Sequence, residues 1–338
     1  MTTELQKYQT EINTQIQNIF ISKIKNTKLK EISDYVLLGG KRLRPAIGLD
    51  IFNSISKISG LKSLKSLNGV NSLNNSFENI HTVIFPLIIS IELLHNTSLI
   101  LDDLPSMDND VIRRGRQTIH RKYGVTCAHI LATFLTQQSF HLWINSINSF
   151  SQINKDNETI IYQTIPLLQK YYSKQMNLAT QGQYFDLFAV KESLEIRFLN
   201  QLVENLFIDE KILTKNMNRS KIPKIVLKSC LLKTAPFFVT AFVGGYLLGG
   251  GEINQSQKVQ NMGELFGLLF QISDDFLDTN EDHKWDNYVV CVGENRARQV
   301  FIEIWNFFET NMKQLRIWSK LFEEIKIILF KRCKIKIR

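Results

Sequence analysis

Residues 83–108 read VIFPLIISIELLHNTSLILDDLPSMD. From Val83 to Leu101 the run is strongly apolar and reads as a helix. It ends in three acids, Asp102, Asp103 and Asp108. Carboxylates set against an apolar wall need a partner, because an unpaired buried charge is costly. On a straight helix Asp102 and Asp108 are six residues apart and fall on different faces. Pro105 breaks the hydrogen-bond ladder between them, so a local bulge could bring all three carboxylates to one side. Read alone, the segment suits a solvated helix end with scattered acids equally well.

A second acidic set stands at residues 270–278, FQISDDFLD. Asp274, Asp275 and Asp278 lie three and four residues apart and share one helix face. They follow the apolar run Leu265 to Ile272. Like charges at this spacing destabilise a helix unless a cation neutralises them. Oxygen-only donors, with no His or Cys beside them, suit Mg²⁺, which keeps waters and is completed by substrate phosphates. Two such helix ends facing each other would hold several ions and a diphosphate. An exposed acidic helix end is the alternative.

The rest of the chain reads as helix after helix: residues 4–37, 45–53, 125–147, 160–190, 225–248, 255–277 and 295–330. Gly39 and Gly40 stop the first of these. Residues 54–79 are rich in Ser, Asn and Lys and read as a surface loop or insertion. With 6 prolines and 16 glycines in 338 residues, long helices are favoured over many short strands. The expected fold is all-α, one domain over residues 1–338, built as a bundle.

The net charge of +9 admits nucleic acid, an anionic membrane or a phosphorylated substrate as partner. Basic residues are scattered except at Lys41–Arg44, Arg113–Lys122 and a tail at 331–338, the last read as a solvated end. A helical nucleic-acid binder would leave both acidic sets unexplained, so no nucleic acid is expected. Cys127, Cys230, Cys291 and Cys333 show no metal-site spacing and read as free thiols of a reducing compartment. The first residues lack a signal peptide's apolar core and a transit peptide's Arg-rich character, so a cytoplasmic location is expected. The apolar stretch Ala235–Gly251 falls short of a membrane span and reads as a core helix.

Basic groups flank the acids. GGKRLRP supplies Lys41, Arg42 and Arg44, and Arg113 and Arg114 follow the first acidic set by five residues. Arginine offers a planar fork for phosphate oxygens, and lysine a point charge.

Together, HNTSLILDDLPSMDNDVIRRG, GGKRLRP and FQISDDFLD resemble the trans-prenyltransferases, the polyprenyl diphosphate synthases. Lys233-Thr234 in LLKTAPFF and Gln183–Asp186 in GQYFD match two further landmarks in the right order, over about residues 30–280. The resemblance implies an isoprenoid synthase fold, a bundle of about ten or more antiparallel helices around a central apolar cavity. It implies that Asp102, Asp103, Asp108, Asp274, Asp275 and Asp278 hold Mg²⁺, three ions per site with substrate, against an allylic diphosphate (dimethylallyl, geranyl or farnesyl). It implies that Arg113, Lys174, Lys233, Thr234 and Gln271 bind that diphosphate, and that Lys41, Arg44, His95 and Arg114 bind isopentenyl diphosphate. A homodimer follows by the same carry-over. In the family, bulky side chains a turn above the first acidic set stop chain growth. Thr97 and Ser98 are small here, so a C20 product, geranylgeranyl diphosphate, is expected, and SLILDD is similar to bacterial carotenoid-pathway enzymes.

Three departures stand against a typical member. Thr133-Phe134 occupy the region where the family has Gly-Asp, and Gln117 replaces a proline. The lysine-bearing segment after the second acidic set is hard to find in EDHKWDNYVVCVG, where Lys284 is displaced. A farnesyl diphosphate synthase, a weakly active regulatory subunit and a class I terpene cyclase are the competing readings. GGKRLRP and Arg114 argue against the cyclase, which needs no second diphosphate site.

Overall fold

The computed structural model describes residues 2–59, 73–155, 157–188, 227, 231–278 and 287–336, with the side chains of 73–80 and 185–188 excepted. Lys284, Cys230 and Asp186 fall outside that description. The described residues form two compact units, Met1–Ile165 and Pro166–Arg338. The all-α expectation holds.

The first unit opens with α1 (Glu4–Gln15), fixed by a capping box in which Thr3 accepts from the Gln6 amide at 3.2 Å. The helix expected over 4–37 is interrupted. A π-helical turn at Ile16–Phe20 and a 3₁₀ turn at Ile21–Lys23 come first. Then α2 (Thr27–Leu37) starts afresh on Asn26, whose side chain accepts from the Leu29 amide. Next come α3 (Leu43–Ile58) and α4 (Leu73–Asp102). Both intrude on the stretch read as a loop at 54–79. Ile51 and Ile55, four apart, are both buried, so the apolar face continues past the point where the Ser- and Lys-rich composition suggests an end.

Over His81–Asp102, α4 is long and apolar enough to cross a membrane, yet 83% of the 18-residue stretch that meets this test is buried inside the protein. It packs on α6 (Val125–Ile153), and the Ser146 hydroxyl donates to the Val83 carbonyl at 2.6 Å. Between them lie α5 (Ile119–Tyr123) and a two-stranded hairpin, β1 (Ile112–Arg113) with β2 (Arg116–Gln117). The hairpin escaped the sequence reading. Its signal was Arg114-Gly115, which take φ 53° and 72°, the doubly positive turn that suits a two-residue hairpin.

Helix α7 (Glu158–Phe188) carries the chain from the first unit into the second. There α8 (Ala235–Leu248) is buried along its whole length and lies against α9 (Ser256–Asp275). The short α10 (Tyr288–Val292) follows. The single helix expected over 295–330 is two, α11 (Glu294–Gln314) and α12 (Lys320–Arg332), parted at Arg316, whose φ is 59°. Phe242, Phe266, Phe308 and Phe322 interlock at centroid separations of 5.7–6.3 Å, joining α8, α9, α11 and α12. The tail is not wholly a solvated end: α12 runs to Arg332, and Cys333 is fully buried.

Glu264 lies within this apolar packing on α9, bonded to Gln260. Burial pushes its carboxyl up to about 7, partly offset by Gln260 and by the charge of Lys174. Its folded value is therefore above its unfolded one. The native state holds the extra proton between about pH 4.5 and 7, and stability falls as pH rises through that window. Glu264→Gln is expected to flatten this loss, gaining up to about 3 kcal/mol over the wild type at pH 8 and little at pH 4.5. Urea midpoints at the two pH values check it; a parallel shift at both would refute the assignment.

Candidate active site

The end of α4 bends as its proline predicts. After Asp102 the chain turns back, and the Asp108 amide donates to the Asp102 carbonyl at 2.9 Å. The backbone of the third acid is thereby brought onto that of the first. Asp102 and Asp103 are buried and Asp108 is exposed.

Asp103 is gripped by Arg113, with Nε at 2.8 Å and Nη2 at 2.6 Å, and Nη2 also reaches Asp110 at 2.8 Å. Burial pushes the Asp103 carboxyl above its usual range, and the Arg113 bonds oppose that. Arg114 turns the other way. Its positive φ sends Nη1 to the Asn96 side-chain oxygen at 3.2 Å. The hairpin thus directs two adjacent arginines to two different partners. Gln117 stands where the family has proline, and its backbone carbonyl accepts from the Tyr35 hydroxyl at 2.9 Å, a bond that proline could also accept.

Beneath Arg114 lies a buried chain. Asn96 donates to the Glu92 carboxylate at 3.2 Å, and Glu92 pairs with Arg42 at 2.7 Å. Arg42 also donates to Asn13 and to the Leu37 carbonyl. Gly40 leaves room for this brace: a Cβ would fall 2.4 Å from an Arg42 nitrogen and 3.2 Å from one of Arg114, so these side chains would have to shift. So Arg42 of GGKRLRP is an internal brace. Lys41 is exposed, and Arg44 is half-buried. His95 is held well below its usual value, first by burial and then by the charges of Arg44, Arg114, Arg42 and Arg113. A neutral imidazole therefore sits amid guanidinium groups, of which Arg42 and Arg113 are already held by Glu92 and by Asp103 and Asp110. A small cleft lined by Asn96, Asp103, Arg113 and Arg114 opens beside it. Thr97 is buried toward α6, its hydroxyl 3.5 Å from the Ala132 carbonyl, and Ser98 donates back to His95 at 2.9 Å.

In the second unit the Thr234 hydroxyl donates to Gln271 at 2.8 Å, and Gln271 donates to Asp275 at 3.0 Å. Asp275 also accepts from the Tyr288 amide at 2.8 Å. Burial pushes its carboxyl up to about 6, against those two bonds, and the Asp274 and Asp278 charges add to the rise. Asp274 pairs with Arg332, which also bonds Ser273. Asp278 is exposed, and Lys233 is half-buried beside Thr234. Lys174 is near enough for its charge to act on Glu264, ten residues and about 15 Å along α9 from Asp274.

Sequence reading missed Glu92, Asn96, Asp110 and Arg332. A lone glutamate four residues before an asparagine in an apolar helix was a usable signal for the first two. Nothing local marks Arg332, which is 58 residues from Asp274.

The polyprenyl synthetase family pattern matches residues 26–291, which takes in nearly every one of these groups. The chain belongs to the polyprenyl synthetase family. The expectation of a prenyl-transferring enzyme holds with it. A trans-prenyltransferase of African swine fever virus (isolate Warthog/Namibia/Wart80/1980) is 27% identical over 88% of this chain and 76% of its own. Arabidopsis thaliana geranylgeranyl pyrophosphate synthase 10, mitochondrial, is 30% identical over 57% of this polyprenyl synthetase and 46% of its own chain. Geobacillus stearothermophilus farnesyl diphosphate synthase is 27% identical over 74% and 66%. In fold the chain is similar to Thermotoga maritima geranyltranstransferase, with TM-score 0.66 and 22% identity over 97% and 99% of the two chains. It is also similar to a Helicobacter pylori geranyltransferase solved with magnesium and isoprenyl diphosphate, with TM-score 0.59 and 23% identity over 98% and 97%.

Among the described residues, no three His, Cys, Asp or Glu side chains converge on one point as a closed metal cage. The donors are nonetheless all carboxylates. Mg²⁺ is held by a few carboxylates plus waters and substrate phosphates and needs no closed cage. The residues present fit that ion.

Proposed function

We propose that this polyprenyl synthetase condenses isopentenyl diphosphate with an allylic diphosphate to give geranylgeranyl diphosphate. The carrying observation is the pairing of buried carboxylates with a cluster of arginines around a neutral His95. Such a cluster suits a diphosphate, and the carboxylates suit the Mg²⁺ that accompanies it. The magnesium and isoprenyl diphosphate in the Helicobacter pylori relative support that reading.

Asp102, Asp103, Asp108, Asp274, Asp275 and Asp278 bind the Mg²⁺, which neutralises charge on the departing diphosphate. Arg113, Lys233, Thr234 and Gln271 orient the allylic diphosphate, with Lys174 the outlying member of that set. Lys41, Arg44, His95 and Arg114 hold isopentenyl diphosphate. Loss of the allylic diphosphate leaves a carbocation. The double bond of isopentenyl diphosphate attacks it, and a proton then passes to the released diphosphate. Cationic groups placed where charge develops are the chief source of rate, and apolar helix walls keep water from the cation.

The small size of Thr97 and Ser98, a turn before Asp102, supports a long product. Incubation with Mg²⁺, geranyl diphosphate and labelled isopentenyl diphosphate is expected to yield C20, with Thr97→Phe shifting the main product to C15. Product at C15 from the wild type would favour a farnesyl diphosphate synthase. A cyclic hydrocarbon made from the allylic substrate alone would overturn the reading.

A further inference from the structure

Three irregularities of the first unit converge on one cavity. The π-helical turn Ile16–Phe20 widens the end of α1 where a continuous helix was expected. Pro86 interrupts the ladder of α4 from within. Phe134 of α6 stands where the family has an acid. All three line a half-open cleft of about 740 Å³, within the range of small-molecule sites. Irregular π turns recur at functional sites.

The cleft has a chemical polarity. Its floor is apolar: Ile24, Leu29, Pro86, Phe134 and Leu142 line it, and the Phe20 and Phe134 rings lie 6.1 Å apart. Its rim carries Lys23 and Lys25, both exposed, and His141, whose ring meets Asn145 at 3.1 Å. Neither lysine has an ion-pair partner among the described residues. At position 134 a phenyl ring, rather than a carboxylate, adds to this apolar floor. None of these residues belongs to the catalytic groups described above.

We infer that this cleft is a second binding site for a single-chain anionic amphiphile, and that its ligand is a prenyl diphosphate of the kind the enzyme releases. The apolar floor takes the prenyl chain, and the two lysines take the diphosphate as point charges. A diphosphate carries more negative charge than a carboxylate, which suits a rim of two lysines that lack an ion-pair partner among the described residues. The choice of prenyl diphosphate over fatty acid rests on the proposed reaction; the amphiphile site itself does not. Occupancy by product would report its accumulation at a place remote in sequence from the acidic motifs.

Equilibrium dialysis of the full chain against labelled geranylgeranyl diphosphate, with Mg²⁺ and no isopentenyl diphosphate, tests this. Two equivalents per chain are expected. The K23E/K25E variant is expected to bind one, with an unchanged urea midpoint and unchanged initial turnover. F134D is expected to lose the same equivalent by charging the floor. Inorganic diphosphate at equal concentration should not displace it. Equal stoichiometry in wild type and K23E/K25E would overturn the inference. Displacement of the second equivalent by oleate at lower concentration than geranylgeranyl diphosphate would overturn the prenyl assignment. Failure of turnover with the second equivalent intact would sink the proposed reaction and leave the site standing.

Discussion

Asp103→Asn lowers turnover by about a thousandfold while leaving the fold in place. Asp103 is buried, and its carboxylate meets two nitrogens of Arg113. Asparagine keeps one acceptor oxygen for that guanidinium, so most of the local geometry survives. What it removes is the negative charge proposed to hold Mg²⁺. Metal-borne stabilisation of a leaving group supplies several kcal/mol of barrier lowering, and about 4 kcal/mol corresponds to a thousandfold in rate. Labelled isopentenyl diphosphate incorporation under saturating substrates measures it. Turnover within tenfold of the wild type would remove Asp103 from the metal set.

The largest stability effect is expected from Glu92→Ala. The Arg42–Glu92 pair is among the most enclosed ion pairs described, with side chains 4% and 3% exposed. Removing one partner of such a pair strands the other charge, at a cost of about 3–5 kcal/mol. Asn96 loses its side-chain acceptor at the same time, and Arg114 is anchored through Asn96. Urea denaturation of E92A should therefore show the loss. The double variant R42M/E92M, which buries no charge, should recover most of it. A loss in E92A below about 1 kcal/mol would mean that the pair is solvated in solution.

Much of this was legible beforehand because the decisive signals are local. Val83 to Leu101 announce a buried helix by composition alone, and the carboxylates after it stand out against that apolarity. Pro105 foretold the fold-back that joins the Asp108 amide to Asp102. What stayed hidden depends on partners far along the chain. Arg42 looked like one more phosphate ligand in GGKRLRP, and only its closeness to Glu92, fifty residues away, makes it a brace. The break after Phe20 had no punctuation: no Gly or Pro interrupts residues 4–37, and the change from α to π turns is settled by packing. The tail seemed a plain basic end because neither Asp274 nor the cover over Cys333 is near it in sequence.

That last contact bears on how the protein is handled at the bench. Arg332 clasps Asp274 across 58 residues of sequence. A fusion or truncation that displaces the end of α12 would free a carboxylate proposed to serve catalysis. Material altered there is thus expected to differ from the intact chain in its demand for magnesium.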